Sequence, residues 1–172
     1  NTLCIFLTIK FKTMEAQLFV KMVLSSWNTQ YAELWKLLDQ LSDEQLQNET
    51  SPGRNRGIYL LGHLVAVTDG MLPLLDFGPR MYAQLDGIFV HLPDKSGQEM
   101  PTATTLKSNL KEINEVLSTS FNNLPAEQWF SRHTAVSEND FISQPHRNKL
   151  NIIINRSNHM AYHVGQLVYL LK

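Results

Sequence analysis

Four polar side chains near the C-terminus, Asn155, His159, His163 and Gln166, recur at spacings of four, four and three, so on a helix they share one face. They cut through an apolar run, with Ile152, Ile153 and Ile154 before them and Val164, Leu167, Val168, Leu170 and Leu171 after. That run reads as the inner surface of a buried helix, where a polar group costs free energy unless it finds a partner. Two imidazoles one turn apart can meet the requirement in two ways. They can hydrogen-bond to a neighbouring helix as core histidines, or they can hold one metal ion together. No glutamate follows His159 directly, which excludes the zincin arrangement H-E-x-x-H.

His63 lies three residues after Leu60 and four before Val67, at the border of another apolar helical face. With His159 and His163 it would supply three nitrogen donors from two helices. Helix-bundle cores are where such sites are built, and three protein ligands leave coordination positions open to water or substrate. Neutral imidazole is the ligand form, so proton competition at an ordinary imidazole predicts release of the ion below about pH 6.5. Each ring's second nitrogen needs an orienting partner, and Asn155, Tyr162 and Gln166 stand a turn or less away. Gly165, beside the pair, reads as a place of close approach for another helix or a substrate. Three imidazoles suit zinc, nickel, iron or copper.

Other residues carry less. His91, His133 and His146 fall in expected loops and read as solvated surface, and Asp69 and Arg156 as solvated charges. Trp27, Tyr31 and Trp35 stand at helical spacing and read as core. There is no G-x-S-x-G turn and no glycine-rich phosphate loop, and the one thiol is Cys4.

The elements that must position the histidines follow from periodicity. A first helix is expected from Met14 to about Gln40, with Trp27, Tyr31, Leu34, Trp35 and Leu38 on one row and Leu18, Met22, Ser25, Thr29 and Ala32 on another. Ser42 is a good cap for one further turn. A second long helix is expected over 56–75, with Leu60, Leu64, Val67, Met71 and Leu74 as its seam and Pro73 loosening its last turn. Residues 76–101 are broken by Gly78, Pro79, Gly87, Pro93 and Gly97, with room for a short helix over 81–89. A third helix is expected over 102–122, capped by a threonine, with Leu106, Leu110, Ile113 and Leu117 inward. Residues 131–146 read as irregular, and a fourth helix starts near Pro145 or Arg147. Long amphipathic segments without a strand pair predict an all-α helix bundle.

At 172 residues the chain suits one domain, and its net charge of −1 with scattered basic residues leaves no footprint for nucleic acid. No segment reads as a membrane span, and the single cysteine agrees with a reducing, cytoplasmic setting. The first thirteen residues, NTLCIFLTIKFKT, are expected to be a leader or upstream segment before a start at Met14, with the domain over 14–172.

With these residues in view, the chain resembles the DinB-like family of four-helix-bundle proteins, which includes YfiT-type metal-dependent hydrolases and thiol-dependent S-transferases. The matching pieces are Pro52-Gly53 leading into Gly62-His63-Leu64, and the terminal His159-x-x-x-His163-x-Gly165-Gln166-Leu167. The resemblance implies an up-down-down-up bundle with one divalent metal, zinc or nickel first, on His63, His159 and His163. It further implies a homodimer, a small-molecule substrate, and a low-molecular-weight thiol as cosubstrate in the transferase branch. The competing expectation is a non-catalytic protein whose metal or histidine cluster only organises the bundle. Segments 76–101 and 122–146 match no motif of the family, so the substrate does not carry over.

Overall fold

Along α1 (Thr2–Leu38) two rows of side chains separate: Val20, Trp27, Leu34 and Leu38 are buried, whereas Met14, Leu18 and Met22 are exposed. The computed structural model describes the backbone of residues 2–171 and the side chains of residues 14–171. The expected leader character of residues 1–13, Cys4 included, concerns side chains outside the described residues. The chain turns into α2 (Asp43–Leu46), which Ser42 opens with a capping box: its hydroxyl accepts from the Gln45 N–H, and the Gln45 side chain accepts from the Ser42 N–H.

Next come α3 (Gly57–Asp69) and α4 (Met71–Leu75), so the expected single helix over 56–75 is in fact two. Pro73 supplies the reason. It has no N–H to give to residue 69, and its ring would clash with that carbonyl, so the helix is interrupted at Gly70 ahead of it. The expected seam was also too narrow. Ile58, Leu61, Val65, Ala66 and Leu72 are buried along with Leu60, Leu64 and Met71, while Val67 and Leu74 are half-buried. A helix apolar on nearly every side belongs in the middle of a fold. Gly57–Leu75 is consequently long and apolar enough to cross a membrane, contrary to expectation, but 72% of that window is buried inside the protein.

Beyond it lie α5 (Asp86–Phe89), preceded by a 3-10 turn over Ala83–Leu85, and α6 (Ala103–Asn123). Thr102 caps α6 by accepting from the Thr105 N–H, and Leu106, Leu110, Ile113 and Leu117 all face the core. Residues 131–146 are not wholly irregular, because Ser137 caps a short α7 (Glu138–Ser143). The last long helix, α8 (Lys149–Leu167), starts later than expected, where Asn148 accepts from the Asn151 N–H.

The helix α8 packs on α1 and α3, and α3 packs on α6. Trp27, Phe77, Phe121 and Trp129 form a cluster of edge-on and tilted rings, while Tyr31 and Trp35 are partly buried against the core. Among the described residues there is no strand, only the isolated bridges Glu49–Arg56 and Arg132–Asn148, so the fold is all-α.

Candidate metal centre

The packing of α3 against α8 carries His63 to the two histidines of α8. His63 Nε2 lies 3.2 Å from His159 Nε2, and His163 Nε2 lies 3.1 Å from the same atom. The ligand atoms of all three fall within 4.8 Å of one another. His163 is buried, while His63 and His159 are half-buried, so the cluster lies at the edge of the core rather than at its centre.

The outer nitrogens decide what the inner ones can do. His63 Nδ1 stands 2.7 Å from the carbonyl oxygen of Phe89, at the end of α5. That oxygen can only accept, so Nδ1 carries the proton, and Nε2 of the neutral ring is a bare lone pair. His163 Nδ1 makes the equivalent 2.7 Å contact with Gln166 Oε1, because Gln166 Nε2 donates to Tyr162 Oη at 3.2 Å. His163 Nε2 is therefore also a lone pair. Two lone pairs converge on His159 Nε2, and one N–H there cannot satisfy both well. A shared cation would satisfy all three nitrogens, and the donor set fits a divalent transition metal.

Burial holds His159 down to about pKa 4, assisted by the charges of His163, His63 and Arg156. Burial also lowers His163, which Gln166 partly offsets. Both shifts favour the neutral ring, the ligand form, at His159 and His163.

Of the three expected orienting residues, Gln166 touches His163 directly and Tyr162 acts through Gln166. Asn155 does neither: it is exposed, with no described hydrogen bond to the histidines. An i, i+4 step from Asn155 to His159 brings side chains near one another, but Asn155 lies far enough round α8 to face solvent. Gly165 is exposed as well, and a methyl group built there would meet no described atom within 4 Å, so nothing among the described residues approaches it closely.

The structure also reassigns residues expected at the surface. Asp69 is fully buried and accepts from Arg80 Nε and from the backbone N–H groups of Met81 and Tyr82. Arg80 in turn pairs with Asp86, so this network fixes the segment that leads into α5 and hence the Phe89 carbonyl. Arg156 is half-buried rather than solvated. His133 is buried, with its Nδ1 unpartnered, and its pKa is lowered by burial and by Arg147, whereas His91 and His146 are exposed as expected.

Sequence reasoning missed Phe89, because a backbone acceptor leaves no trace in side-chain type. One signal was available in Gly62, directly before His63: a methyl group there would lie 2.2 Å from the Phe89 ring, so only glycine lets α5 approach.

A family model described as the DinB superfamily matches residues 26–167, a span that holds all three histidines. No curated protein matches the chain.

Proposed function

Because this chain belongs to the DinB superfamily, we propose that it is a divalent-metal-dependent enzyme centred on His63, His159 and His163, and that its chemistry is thiol-dependent S-transfer. The observation that carries this reading is the convergence of three Nε2 atoms, two of them stripped of protons by acceptors at Nδ1. The same reading includes the up-down-down-up order of the four long helices, a small-molecule substrate and a homodimer.

A divalent ion held there would act as a Lewis acid toward a thiol or water at an open position, lowering its pKa. The chain's own residues supply orientation. Phe89 O and Gln166 Oε1 lock the tautomers of His63 and His163, and the half-buried His63 and His159 leave a side open to solvent. Among the described residues the cluster contains no carboxylate. Amide hydrolysis normally draws on a general base beside the metal, whereas a thiol, with a pKa of about 8.5, ionises far more readily than water and depends on one less. That difference favours S-transfer over hydrolysis.

The test is metal analysis after controlled reloading, followed by conjugation of a small thiol to an electrophile. Wild type should hold about one divalent ion per chain, and His159→Ala or His163→Ala should lose most of it. Equal loading in all three would remove these residues from the site. Loaded protein without metal-dependent turnover of thiols, esters or amides would make the cluster structural.

A further inference from the structure

Arg156, His159 and His163 stand at i, i+3 and i+7 on α8, so the guanidinium shares the face of the two metal-site histidines. Arg156 starts only about 4.5 Å along the helix axis from His159. Two other partly buried arginines are neutralised: Arg56 by Asp94, and Arg80 by Asp69 and Asp86. Arg156 is half-buried, and among the described residues it has neither an ion pair nor a hydrogen bond. Burial alone lowers its pKa, with no carboxylate opposing. An arginine that gives up water without gaining an acceptor is destabilising to the fold by itself.

We propose that Arg156 is the specificity residue of this site and binds the carboxylate of a small-molecule thiol whose sulfur is directed to the three-histidine centre. A guanidinium matches a carboxylate in planarity and can donate two parallel hydrogen bonds to it. One unpaired guanidinium balances one negative charge, which a carboxylate supplies. The inference rests on the metal reading above and adds the class of substrate.

The experiment uses cobalt(II)-loaded protein titrated with 3-mercaptopropionate and with its neutral isostere 3-mercaptopropionamide, followed by the cobalt–thiolate absorption band. Wild type should prefer the acid. Arg156→Ala should bind the acid about tenfold or more weakly, with the amide and the cobalt content unchanged. Arg156→Lys keeps the charge without the planar fork, so it should recover part of the preference and guards against a mere packing defect. A preference for the acid that survives in Arg156→Ala would place the carboxylate elsewhere, on the metal included, and overturn the assignment. Equal binding of acid and amide by wild type, or no binding of either, would overturn it too. Cobalt stoichiometry, and its loss in His159→Ala, judges the metal reading separately. A centre that loads cobalt and binds the amide but ignores the carboxylate leaves that reading standing and removes this one.

Discussion

Replacing Gly62 with alanine tests whether Phe89 is the brace of the proposed metal centre. The added Cβ would lie 2.2, 2.3 and 2.5 Å from three atoms of the Phe89 ring, where ordinary contact starts near 3.4 Å. That ring is fully buried and tilted against Tyr59 at 5.8 Å between centroids, so it has no vacant space to enter. The displacement must pass to the backbone of α5, which carries the carbonyl that His63 Nδ1 uses. Overpacking of this kind costs about 1–3 kcal/mol, and the depth of the overlap argues for the upper end. Alanine returns about 1 kcal/mol of helix propensity, leaving a net loss of about 2 kcal/mol. Urea unfolding of the metal-free protein should report that loss as a lower midpoint. Metal affinity, measured by competition with a chromophoric chelator, should fall about tenfold or more as His63 loses its fixed orientation. A Gly62→Ala protein with the wild-type midpoint and affinity would refute the bracing role.

The same substitution at Gly165 serves as the control, because no described atom lies within 4 Å of a Cβ there. Gly165→Ala should raise the urea stability by about 0.5–1 kcal/mol without changing metal affinity, and a loss of either would mean something beyond the described residues packs on that position. The third prediction concerns pH. His159 falls from 6.5 to about 4 on folding, so between those values the unfolded chain binds the extra proton and stability must decline as pH drops. The full shift is discounted by about half, since His159 is only half-buried, which leaves about 1.5 kcal/mol lost from pH 6.5 to 4. Urea midpoints of metal-free wild type and of His159→Ala over that range check it, and parallel slopes for the two proteins would sink the assignment.

The histidine triad was legible in the sequence because side-chain chemistry and helical spacing are both written in residue type. His159 and His163 are one turn apart, and the apolar period of α8 settles which way they face. The inward rows of α1 and α6 were legible for the same reason, as were the caps at Ser42 and Thr102. What could not be read is whatever depends on tertiary approach. The second long helix looked amphipathic because its seam is real, yet it is covered by α6 on one side and by α5 and α8 on others, which periodicity cannot reveal. Asp69 and Arg156 both read as solvated charges. Burial separates them: one meets three N–H donors and the other meets no carboxylate.

The segment between α4 and α6 illustrates how a stretch without periodicity comes to determine a site. Its glycines and prolines forbid a long helix, so its shape must come from side-chain anchors. Asp69 provides one, holding Arg80, Met81 and Tyr82. Asp94 provides another by accepting from both the side chain and the backbone N–H of Arg56, just before α3. The two anchors lie on either side of Phe89, and Tyr59 Oη, donating to Leu92 O at 2.8 Å, adds a third. All three tie the segment to α3 or its immediate approaches, the same element that carries His63. The acceptor for His63 is thus fixed relative to His63 rather than to the bundle as a whole. Small motions between α3 and α8 would then change the separation of the imidazoles while leaving each tautomer intact. That division is useful in a metal centre, where the lone pairs must stay available while the geometry of the third ligand adapts.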